Sequence, residues 1–139
     1  MTTLKTAREI AASVEEIFAA FTDGERLARW WGPAGFTNTF HTFEFETGGH
    51  WVYTMHGPDG KDYANESSFR EVSPRERIVI DHVSLPKYEL IISFAENDGK
   101  TTVSWEQTFE NETFATKMND FLATANEQNL DKLTAEIRP

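Results

Sequence analysis

The sequence predicts an α+β fold: one strand, two short helices, six further strands of antiparallel character and a long C-terminal helix. Three observations carry this. Residues 36–109 alternate apolar and polar side chains, the period of strands with one covered and one wet face. Turn signals punctuate that region at Gly48-Gly49, Pro58-Asp59-Gly60 and Asn97-Asp98-Gly99. From about Thr113 to Ile137 the apolar spacing changes to three and four, the period of a helix.

The elements follow in order. Residues 2–11 carry β-compatible side chains. Ser13-Val14-Glu15-Glu16 reads as a capping box ahead of the stripe Val14, Ile17, Phe18, Phe21. Thr22-Asp23-Gly24 ends that helix and caps a second, from Glu25 to about Trp31, which Gly32-Pro33 stops. Strands are predicted over 40–46, 50–56, 63–72, 77–83, 88–95 and 101–109. Trp51, Tyr53 and Met55 share a face, as do Phe43 and Phe45, and Tyr88, Leu90, Ile92 and Phe94. The last helix, capped by Asn111 or Thr113, presents Met118, Phe121, Leu122, Ala125, Leu130, Leu133 and Ile137. At about 25 residues it spans roughly 37 Å, enough to cross a sheet.

Composition bounds the function. The 139 residues fit one domain, 1–139. With no Cys, disulfides, thiolate catalysis and Cys-based zinc sites are excluded. A net charge of −10 opposes nucleic acid and anionic membranes, so neither is expected as a partner. No apolar run approaches the roughly 18 residues of a membrane helix, and the N-terminus lacks a signal-peptide apolar region. A cytoplasmic protein is expected, as a monomer or weak dimer.

No motif assigns catalytic residues: a nucleophile elbow, a phosphate-binding glycine loop and a dinucleotide fingerprint are all missing. Of the four histidines, His41, His50, His56 and His82, none has the helical i, i+4 spacing of a metal pair. Neither metal nor cofactor is expected. His41 and His82 are assigned inward strand parities. More informative are polar residues placed among inward apolar ones: Asn65 and Ser67 with Phe69, Gln107 between Trp105 and Phe109, His82 after Ile78 and Ile80, and Asn126 and Asn129 beside the helical stripe. Left unpaired in a core, each costs about 1–3 kcal/mol, so each must meet another polar group, water or a ligand. Aromatics make up 13% of the chain, more than a filled core of this size needs, so some are expected to line a hollow. Trp30 and Trp31 are neighbours about 100° apart on a helix and are expected to face different ways.

The order of elements, together with Ala11-Ala12-Ser13-Val14-Glu15-Glu16-Ile17-Phe18, Leu27-Ala28-Arg29-Trp30-Trp31-Gly32-Pro33, Gly48-Gly49-His50-Trp51, Met55-His56-Gly57-Pro58-Asp59-Gly60, Tyr63-Ala64-Asn65-Glu66 and Pro74-Arg75-Glu76-Arg77-Ile78-Val79, resembles the helix-grip fold of the START-like (SRPBCC) superfamily. The resemblance is strongest to the branch related to activators of Hsp90 ATPase. It implies a seven-stranded antiparallel sheet wrapped around the C-terminal helix, with a cavity between. Many relatives carry Gly-Trp early in that helix. Here the region reads Ala123-Thr124-Ala125-Asn126-Glu127-Gln128, implying a more polar lining.

The expected function is binding of a small, partly hydrophobic or aromatic ligand, such as a lipid or polyketide-like molecule, without turnover. The expected lining is Phe43, Trp51, Tyr53, Asn65, Ser67, His82, Gln107 and Asn126, with Trp30 and Trp31 at one end. Two other readings are carried: a co-chaperone-like module acting on Hsp90, which the resemblance alone implies, and an enzyme (cyclase, hydratase or hydrolase) using His82 or His41 as acid/base in the same cavity.

Overall fold

Ser13 starts the first helix as its sequence predicts. The computed structural model describes residues 2–138, and in it Ser13 Oγ accepts from the Glu16 N–H at 3.2 Å, opening α1 (Val14–Thr22). Asp23 then caps α2 (Gly24–Trp30), its carboxylate accepting from the N–H groups of Glu25 (3.0 Å) and Arg26 (3.4 Å). Asp23→Ala leaves both donors bare and is expected to cost about 1 kcal/mol, read as a lowered denaturation midpoint with unchanged slope.

The strands are β1 (Thr2–Ile10), β2 (Thr37–Phe43), β3 (His50–His56), β4 (Asp62–Ser73), β5 (Arg77–His82), β6 (Tyr88–Asn97) and β7 (Lys100–Phe109). They form one antiparallel sheet in the order β1-β7-β6-β5-β4-β3-β2. Consecutive strands from β2 to β7 are neighbours, as short turns require. The helices α1 and α2 carry the chain from one edge strand to the other. This is the helix-grip α+β fold. One expectation about facing is corrected. The register of β2 against β3 shifts between Phe40 and Thr42. Phe40 then packs on Trp51 and Tyr53, and the extra residue, His41, turns outward, its Nε2 2.8 Å from Thr54 Oγ1.

The C-terminal helix is also not continuous. It divides into α3 (Glu112–Lys117) and α4 (Asn119–Ile137), with Met118 in a turn between them. Asn111, one of the two expected caps, accepts from the Phe114 N–H at 2.9 Å. The break serves two cores. Ala115 on α3 is buried with Leu4 and Phe109, while Leu130, Leu133 and Ile137 on α4 join the main core with α1, α2 and the inner face of the sheet. The first half of α4 is less covered: Phe121 is exposed, and Ala125 and Leu122, which packs against the Leu4-Phe109-Ala115 cluster, are only half-buried. The apolar stripe therefore continues past the end of the packed core.

Candidate functional site

A cavity of about 630 Å³ lies between the first half of α4 and the inner face of the sheet. Its inner wall includes Trp31, Tyr53, Leu90, Trp105, Gln107 and Phe109, all buried. Its rim carries large apolar side chains that are unusually open to solvent: Tyr63 is 43% exposed, Phe121 59% and Leu85 83%. Phe36, Met55, Pro86, Phe114, Leu122 and Ala125 complete most of the apolar surface. The volume falls in the range of small-molecule sites.

The polar groups are few and mostly uncharged. Asn126 Nδ2 donates to Gln107 Oε1 at 3.0 Å, joining helix to sheet across the cavity. Asn129 is buried and engaged at both its oxygen and its nitrogen, accepting from Gly32 N–H (3.3 Å) and donating to Trp30 O (3.1 Å). Asn65 donates to Tyr63 O at 2.9 Å. Burial pushes the Tyr53 phenol well above its ordinary value, and the neighbouring Trp31 and Ser67 side chains offset only part of that. The Tyr88 phenol is raised by burial and, secondarily, by Tyr53. Both are therefore neutral donors at physiological pH. Asp62, the one charged residue of the described lining, is paired with His56 at 2.7 Å.

Of the ten residues expected to line the cavity, the fold brings Trp31, Tyr53, Asn65, Gln107 and Asn126 to its wall. The other five lie elsewhere. Trp30 points away from it, with Nε1 donating to Ala20 O at 3.0 Å and its ring against Phe21. Trp51 and Phe43 are absorbed into the aromatic packing beneath α1 and α2, where Trp51 stacks between Tyr53 (4.4 Å) and Phe69 (5.6 Å). Ser67 is buried one step further along β4, opposite Trp51 in register. His82 stands behind the wall: its ring stacks on Tyr88 at 4.4 Å, covering the back of a cavity residue. The expectation that Trp30 and Trp31 diverge is met in direction, but both are buried. Trp31 sits in the partly extended residue after α2, its ring against Trp51 (5.0 Å) and Trp105 (5.6 Å).

The turn after Trp31 is held from several sides. Gly32 has φ +96°, a left-handed conformation that an L side chain rarely adopts. Asn38 Nδ2 donates to Trp31 O at 2.8 Å, and Lys132 Nζ reaches the carbonyls of Phe36 (3.1 Å) and Pro33 (3.3 Å). These contacts fix the Trp31 ring as the inner wall. Sequence reasoning missed Tyr88, Leu90, Phe109, Phe114 and the rim residues Tyr63, Leu85 and Phe121. The parity of Tyr88 with Leu90 signalled the first two. Nothing local signalled the rim, since only tertiary placement leaves an apolar residue exposed.

His82 faces two oxygen acceptors: Nδ1 lies 2.8 Å from Pro86 O and Nε2 2.7 Å from Asn65 Oδ1. A neutral imidazole can donate to only one at a time. Burial nevertheless lowers its pKa below the ordinary 6.5, outweighing the Pro86 carbonyl, which favours the proton. The folded state thus binds this proton less readily than the unfolded chain. Stability is unaffected well above pH 6.5 and falls as pH drops through 6.5 toward the folded value. The denaturation midpoint is expected to decline over that window, and His82→Gln to flatten the decline. An unchanged slope in the variant contradicts this. With His41 outward and both ring nitrogens of His82 engaged, neither histidine presents a free acid/base to the cavity.

Among the described residues no group of His, Asp or Glu is arranged to hold a metal, and no helix is long and apolar enough to cross a membrane. No curated protein matches the chain. Solved structures do. A solution structure of a protein from Arthrobacter aurescens superposes with a TM-score of 0.89 at 25% identity, over 97% of this chain and 85% of that one. A crystal structure from Chromobacterium violaceum gives 0.87 at 24% identity, over 100% and 99%. An AHSA1-like protein from Aeromonas hydrophila gives 0.72 at 21%, over 96% and 92%. The family model described as activator of Hsp90 ATPase homolog 1-like protein matches residues 11–138. With its fold and nearly its whole length so matched, the chain belongs to the activator of Hsp90 ATPase homolog 1-like family, within the START-like superfamily.

Proposed function

We propose that this protein binds a small, partly hydrophobic ligand in the cavity between the sheet and α4. The observation that carries this is the split of the α4 stripe: its second half is packed, while its first half faces about 630 Å³ of space across from Trp31, Tyr53 and Trp105. Leaving this apolar surface unfilled forfeits packing that a ligand would restore. The open rim of Tyr63, Leu85 and Phe121 supplies an entrance. Binding to the native state raises stability by mass action, so a thermal-shift panel of lipids, aromatics and polyketide-like compounds tests the reading. At least one class is expected to raise the melting temperature in a concentration-dependent way. No shift across the panel, with a crystal structure showing the cavity closed by side chains, contradicts it. Action on Hsp90 rests on the family description alone.

A further inference from the structure

The inner wall offers hydrogen-bond donors and no cation. Gln107 is 7% exposed, its Oε1 is taken by Asn126, and its Nε2 has no protein partner among the described residues. Trp105, on the same face of β7, has a buried indole N–H that is likewise unpartnered. The neutral phenols of Tyr53 and Tyr88 complete this inner surface. Lys132 does not line it, since its ammonium is bound by backbone carbonyls behind the wall. The only charge on the lining is the Asp62 carboxylate, paired with His56.

These facts discriminate between ligands by charge. An anion entering the cavity would lose its hydration with no positive partner, inside a protein of net charge −10. A cation would lose its hydration against Gln107 and the neutral Tyr53 and Tyr88 phenols, none of which carries a compensating negative charge. An uncharged oxygen acceptor loses little hydration and can accept from the Gln107 amide N–H, which no protein group among the described residues engages. Aromatic rings on the wall suit a flat, ring-bearing body. We infer that the ligand is an uncharged, ring-bearing molecule that seats a carbonyl-type oxygen on Gln107 Nε2. The inference rests on the reading that the cavity binds a ligand.

Four probes of matched ring system test it by calorimetric titration: 2-acetylnaphthalene, naphthalene, 2-naphthoate and 2-naphthylmethylammonium. The neutral ketone is expected to bind at least about tenfold tighter than either charged probe. Gln107→Met is expected to reduce its affinity to that of naphthalene, while naphthalene itself changes by less than about twofold. Gln107→Leu serves as the second variant should the first fail to fold. Equal or tighter binding of the carboxylate or the ammonium overturns the inference, as does a ketone affinity indifferent to both Gln107 variants. In those cases the cavity still binds and only the ligand class is wrong. Binding by none of the four also overturns it, and the thermal-shift panel decides separately whether the cavity takes any ligand.

Discussion

Replacing Trp31 by Ala is expected to cost about 3–5 kcal/mol of stability, the range for deleting a buried aromatic ring. The Trp31 ring is 4% exposed and touches Trp30, Trp51 and Trp105, so it joins α2 to both the β3 and β7 sides of the sheet. The neighbouring carbonyls and Gly32 N–H are tied to Asn38, Lys132 and Asn129, which prevents the backbone from collapsing into the space left behind. A cavity that cannot close keeps the full penalty. Against a total of about 5–15 kcal/mol for a domain, the variant is left marginal. Trp31→Phe retains a ring at the same place and is expected to recover much of the loss while weakening cavity ligands. Equal stability of Trp31→Ala and the parent in denaturant titration contradicts the role given to this residue.

Asn129→Leu is the second large effect. Leucine matches the volume of the site but removes both hydrogen bonds, leaving Gly32 N–H and Trp30 O buried without partners. Each group left bare costs about 1–3 kcal/mol. The damage is also positional, because Asn129 is the side chain through which α4 holds the turn that aims Trp31 at the cavity. A double-mutant cycle with Trp31→Phe is expected to show coupling, since residues sharing one packing unit depart from additivity. Additive effects indicate that Asn129 merely fills space.

The fold was legible because its signals are local and agree with one another. Ser13 and Asp23 cap the helices they precede, and Gly99 takes positive φ (+76°) in the predicted turn between β6 and β7. Alternation placed Tyr53, Asn65 and Gln107 on the inner face, and of the six polar residues singled out in the sequence, Asn65, Gln107, Asn126 and Asn129 reached the cavity. What the sequence could not convey was depth along the sheet. Trp51 and Trp105 have the same inward parity and similar neighbours, yet one lies beneath the α1–α2 pair and is packed, while the other lies beyond it and borders open space. Period-two patterning reports the face of a residue and carries no information about which helix covers it. His41 failed for a different reason. A single extra residue in β2 reverses parity locally, and nothing in Phe40-His41-Thr42 announces the bulge. The break at Met118 was hidden because helical spacing continues through it.

Ligand binding in the space facing the first half of α4 is the proposal on which the ligand class and the effect of Trp31→Phe on cavity ligands both depend. It is tested most directly by following the indole N–H signals of Trp31 and Trp105 and the side-chain amide of Gln107 by NMR, during titration with 2-acetylnaphthalene of the parent and of Ala125→Trp. Ala125 is half-buried on the cavity side of α4, so a Trp there fills the space without touching the packed half of the helix. Saturable shifts are expected at those three side chains in the parent, together with a folded Ala125→Trp that no longer responds. Shifts confined to residues outside the cavity, or an Ala125→Trp variant that binds as the parent does, would contradict it.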